Sequence, residues 1–85
     1  LETSVGLAAG VALAAALPEL PYACGLGTAT LLDGDLTDEP LQPLWGAIPV
    51  RRPEPSMELL RRWMADRDTE SRVMRRLRHA AEILT

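Results

Sequence analysis

Lysine is absent from this sequence of 85 residues, and cysteine and histidine occur once each, as Cys24 and His79. Without lysine, neither a Schiff-base nor a lysine-base mechanism can be completed within the chain. One cysteine excludes an internal disulfide, and one histidine leaves no ligand set for a structural zinc. The two devices that reinforce the thin cores of very small domains are therefore both missing. This usage fits a reducing, intracellular setting. Bases are also missing from residues 1–50, which carry six acids, Glu2, Glu19, Asp33, Asp35, Asp38 and Glu39. All nine arginines lie between Arg51 and Arg78. Residues 51–85 set those nine against six acids, a net of +3 that is too balanced for a nucleic-acid footprint. The longest apolar run, Val5 to Leu17, is thirteen residues, short of the roughly 20 that span a bilayer. No basic residue precedes it, so it does not read as a signal peptide.

What is present is a series of helix and turn signals. Thr3 and Ser4 can each supply an N-cap oxygen, and the Ala/Gly-rich stretch that follows predicts a helix over 4–17, ended by Pro18. That helix has no charged face, so it is expected to be covered on nearly all sides. A chain this short buries only about 60–65% of its unfolded surface. Together with a start at Leu1 that enters an apolar helix almost at once, this reads as one end of a larger α/β enzyme, short of its neighbours. Tyr22-Ala23-Cys24 predicts a short buried strand that opens into Gly25-Leu26-Gly27-Thr28, and Thr28 to Leu32 a short helix. From Asp33 to Pro55 the composition turns to Asp, Gly and Pro, five of the seven prolines falling there. We read this stretch as a connector, with Trp45 to Val50 as an edge strand that tolerates proline. Ser56 is placed to cap a helix from Met57 to about Ala65. A last helix runs from Thr69 to about Leu84, with Val73, Met74, Leu77, Ala80, Ala81 and Leu84 opposite the arginines.

Few residues offer chemistry. Gly25-Leu26-Gly27 lacks the third glycine of a dinucleotide fingerprint, since Thr30 stands there. It reads as a tight turn at a strand end, or as backbone that meets a carboxylate-bearing ligand. Cys24 has no base tied to it and reads as a small apolar strand residue. Asp33, Asp35, Asp38 and Glu39 have the composition of a metal loop but not its register: an EF-hand loop starting at Asp33 wants glycine where Asp38 stands and glutamate where Leu44 stands. A solvated acidic turn is expected. Glu2 suits the start of a helix dipole, or the orientation of a neighbouring catalytic group. The arginine pairs read as a solvated face or a domain contact, with phosphate binding as the other reading.

Three stretches in order carry a family pattern: Leu1-Glu2-Thr3-Ser4-Val5-Gly6 before the Ala-rich helix, Leu20 to Thr28 (LPYACGLGT), and Gly46 to Pro53 (GAIPVRRP). The chain resembles the C-terminal end of the o-succinylbenzoate synthases, menaquinone-pathway lyases of the enolase superfamily, most clearly over residues 1–55. The resemblance implies an α/β fold, the C-terminal part of a (β/α) barrel. Residues 1–32 would be the last helix and strand of the barrel domain and 33–55 a Pro-rich connector. Residues 56–85 would be helices returning toward the α+β capping domain. It further implies a cytoplasmic, Mg²⁺-dependent dehydratase whose two lysines and three metal-holding acids lie upstream of Leu1, as does a substrate-contacting serine. The parts implied in this segment are substrate-binding Gly25, through its backbone, and Leu26 beside it. The segment alone is then expected to be inactive, its partners being the rest of the same polypeptide and a small carboxylate substrate. An N-succinylamino acid racemase on the same scaffold is the near alternative. A small helical protein-interaction module, using the Leu/Met/Trp stripe of residues 56–85, is the alternative of another class.

Overall fold

The computed structural model describes residues 1–85. It contains three α-helices, α1 (Ser4–Ala16), α2 (Met57–Trp63) and α3 (Arg67–Leu84), a single 3-10 turn at Ala29–Leu31, and no named strand. The helices make no extensive contact with one another. The radius of gyration is 15.5 Å, against about 12 Å for a compact domain of this length, so the chain is open.

α1 stops one residue short of the predicted end, and neither predicted cap is used: Thr3 makes no side-chain cap bond. Ser4 is instead the first helical residue. Its N–H donates to Asp35 Oδ1 at 2.9 Å, its hydroxyl donates to Asp35 Oδ2, and its Oγ accepts the Leu41 N–H at 2.8 Å. The acceptor at this helix start thus comes from the connector. One stripe of α1, Ser4, Leu7 and Val11, is buried. The apolar side chains of that stripe pack with Ala29 and Leu41, flanked by Ala8, Leu26 and Ile48. Val5, Leu13 and Leu17 stay exposed, so the predicted all-round cover of α1 is not supplied by these residues.

Two predicted strands do not form. Tyr22-Ala23-Cys24 is fully exposed, Tyr22 to 83%, and pairs with nothing. A strand is held by its neighbours' ladder bonds, and no other strand lies beside this stretch. Around Trp45 to Val50 only an isolated antiparallel bridge exists, Leu44 to Ala47, closed by N–H···O bonds of 2.8 and 3.1 Å. Trp45 (φ 53°) and Gly46 (φ 77°) both take left-handed backbone, which makes this a two-residue type I′ turn. The next hydrogen-bonded pair would need an N–H from Pro49, so the ladder ends at one bridge. The predicted helix at Thr28 to Leu32 shrinks to the 3-10 turn.

α2 is capped as predicted, Ser56 Oγ accepting the Leu59 N–H at 3.3 Å. Its Trp63 indole lies on Gly34, where a Cβ would come within 2.3 Å of the ring, so only glycine admits this contact. The Ser56 N–H also donates to Leu36 O at 2.8 Å, and Arg51 Nη2 donates to the carbonyls of Glu39 and Pro40 at 2.8 and 3.0 Å. These bonds fold the connector on itself.

α3 begins two residues earlier than predicted because Asp66, not Thr69, caps it: Asp66 Oδ1 accepts the Thr69 N–H at 2.7 Å. That bond holds the Asp66 carboxyl below its ordinary 3.8. A lowered native pKa supplies stability that is present above the ordinary value and lost as pH falls through the native one. Far-UV circular dichroism is expected to show helix loss as acid reaches below about pH 3.8. In Asp66→Asn, which keeps a capping oxygen without the charge, that step is expected to disappear while helicity at neutral pH is retained; an unchanged acid step would remove Asp66 as its source. No residue of α3 is buried.

Candidate functional site

A concavity of about 440 Å³ lies between one flank of α1 (Val11, Ala14, Ala15), the stretch from Leu20 to Gly27, and the turn region of Pro43, Gly46, Ile48 and Val50. Glycine at position 27 lets the loop approach the connector, since a Cβ there would stand 3.0 Å from Pro43 Cγ. The lining carries no charged side chain, and its polar atoms are those of Tyr22, Cys24 and the backbone. This groove can cover the apolar part of a ligand or seat a neighbouring segment. It offers no cation to a carboxylate.

Of the two predicted substrate residues, Leu26 lines the groove and Gly25 does not. The Leu26 N–H donates to Cys24 O at 2.9 Å, which puts Gly25 at the apex of a three-residue turn. Gly25 is exposed, its φ is outside the left-handed region, and a Cβ there would meet nothing within 4 Å. The turn therefore forms as predicted, but nothing within this chain requires glycine at its apex. Leu26 is half-buried, touching the small core and standing 3.4 Å from where a Cβ on Gly10 would be.

The remaining candidates are dispersed. Cys24 is exposed on the groove, whereas His79 sits with Arg72, Arg75 and Arg76 on one face of α3, so no nucleophile–base pair is assembled. No cluster of three or more Asp, Glu, His or Cys side chains can hold a metal ion. Asp35 is engaged by Ser4 and the Leu36 N–H, which takes it out of the predicted solvated turn. Glu2 lies back over the first turn of α1, its Oε2 2.9 Å from a Cβ placed on Gly6, the position the dipole reading asks for. Arg72 pairs with Asp68 at 3.5 Å in an exposed i,i+4 contact that contributes little. No helix is long and apolar enough to cross a membrane.

No family model matches the chain. Its sequence is 67% identical over 60 residues to the o-succinylbenzoate synthase of Thermobifida fusca, covering 71% of this chain and 19% of that protein. The resemblance is to o-succinylbenzoate synthase. The synthase of Mycobacterium tuberculosis is 43% identical over 76 residues, 79% of this chain and 23% of its own length. That of Mycobacterium leprae is 54% identical over 50 residues, 59% and 15% respectively. The chain spans about a fifth of the length of the synthases it matches, so what it shares with them is a segment.

What sequence reasoning missed is the long-range polar network. Ser4 was a sound cap candidate, yet its partners Asp35 and Leu41 are 31 and 37 residues away, beyond any local motif. The one available signal was a helix without an acid in its first turn.

Proposed function

We propose that this chain is the barrel-closing, cap-returning C-terminal part of a cytoplasmic enolase-superfamily dehydratase. The reaction is loss of water from a succinyl-hydroxycyclohexadiene carboxylate to give o-succinylbenzoate in menaquinone biosynthesis. The observation that carries the reading is the 67% identity to the Thermobifida fusca synthase. In it, residues 1–32 end the barrel, 33–55 connect, and 56–85 lie toward the capping domain. Proton abstraction beside a carboxylate needs a base and stabilisation of the negative charge that develops. This chain has no lysine and no metal-holding cluster, so its own residues do not fit Mg²⁺. The chain's own part is a wall: Leu26 supplies apolar cover, and Gly25, bare at the apex of its turn, lets a substrate oxygen come close to backbone.

The complete polypeptide is expected to form o-succinylbenzoate in the presence of Mg²⁺, followed by ultraviolet absorbance, while residues 1–85 alone show none. N-Succinylamino acid racemisation is measured beside it, since proton abstraction serves both reactions. A folded complete protein that racemises without dehydrating would replace this reading; one that does neither would reject it.

A further inference from the structure

We infer that Asp35 is a positioning residue for the substrate wall, acting through Ser4 and Leu41 on the Gly25-Leu26 turn; this rests on the functional reading just given. The chain of contacts is continuous. The Asp35 carboxylate accepts the Ser4 N–H at 2.9 Å, the Ser4 hydroxyl, and its neighbour's Leu36 N–H at 2.7 Å. A carboxylate at that point satisfies an orphan N–H of α1 and meets the positive end of its dipole. Ser4 is wholly buried, and its Oγ accepts the N–H of Leu41, also wholly buried. The Leu41 side chain then packs with Leu7, Val11 and Ala29 in the cluster against which Leu26 rests. One carboxylate thereby joins the helix start next to Leu1-Glu2-Thr3, the connector, and the loop proposed to meet substrate. The bond set ties the start of α1, one wall of the groove, to Leu41, two residues before the Pro43–Val50 turn that forms another wall. Because Ser4 and Leu41 are buried, Asp35 is half-buried and every donor in the network has an acceptor, it holds one geometry where a solvated acidic turn would hold many.

The test uses the complete polypeptide and two readouts. In Asp35→Ala, amide exchange at Leu26 is expected to quicken, and KM for the succinyl-hydroxycyclohexadiene carboxylate to rise about 10-fold with kcat changed less than about 3-fold. Asp35→Asn, which keeps an oxygen for the Ser4 N–H, is expected to fall between, and serves if the alanine variant does not fold. Thr37→Val, at a buried connector position outside the Ser4 network, is expected to lower thermal stability without moving KM. Unchanged exchange at Leu26 in Asp35→Ala and Asp35→Asn, or a KM rise in Thr37→Val equal to theirs, would overturn the inference. Wild-type turnover with unmoved KM in the Asp35 variants rejects the positioning role alone, whereas a folded wild type without dehydratase activity rejects the functional reading beneath it.

Discussion

Gly25→Val, introduced into the complete polypeptide, is expected to raise KM for the carboxylate substrate by roughly 10-fold or more while the thermal midpoint stays near the wild-type value. The separation follows from the geometry. A Cβ at position 25 meets nothing within 4 Å and the backbone there is not left-handed, so folding has no reason to reject a branched side chain. If a ligand approaches the turn from outside, the added isopropyl group occupies its path. Full-length kinetics beside differential scanning fluorimetry check both halves. Wild-type KM would take Gly25 out of the site, and a large loss of stability would show that the rest of the polypeptide packs against the turn instead.

Leu41→Ala is expected to be the most damaging apolar truncation, costing about 2–5 kcal/mol in urea unfolding of the complete polypeptide. Domains are commonly stable by only about 5–15 kcal/mol, so the loss is a large share. Leu41 is the one large apolar side chain with no exposed surface, and its backbone is tied to Ser4. Leu44→Ala, three residues on and 67% exposed, is the comparison and is expected to shift stability by about 0.5 kcal/mol or less. Equal effects at the two positions would mean that the cluster around Leu41 is not a core in the whole protein.

Helices were legible where their determinants are local. Ser56 caps α2 as its sequence position predicts, and α3 shows the amphipathic spacing read from Val73 to Leu84, missing only its start because Asp66 is a stronger capping residue in reach than Thr69. Strands were not legible, because alternation and apolar runs describe a strand's faces while its existence depends on partners. Tyr22-Ala23-Cys24 has none in this segment, and Pro49 ends the ladder that the Trp45-Gly46 turn begins. The site divides in the same way. The turn at Gly25 was legible from the Gly-Leu-Gly pattern, whereas Leu26 was singled out only by the family resemblance, and the acceptor that fixes α1, Asp35, was invisible as such because aspartate in a Gly/Pro-rich stretch is ordinarily a turn residue.

The span between Ser4 and its partners also has a cost in time. A ribosome adding about 5–20 residues per second needs about 2–7 s to go from Ser4 to Leu41. Until Asp35 has been made the Ser4 N–H lacks its native acceptor, and closing a loop of this length carries its entropic cost before any packing repays it. The bonds that anchor the start of the first helix therefore form only after most of the connector has been made.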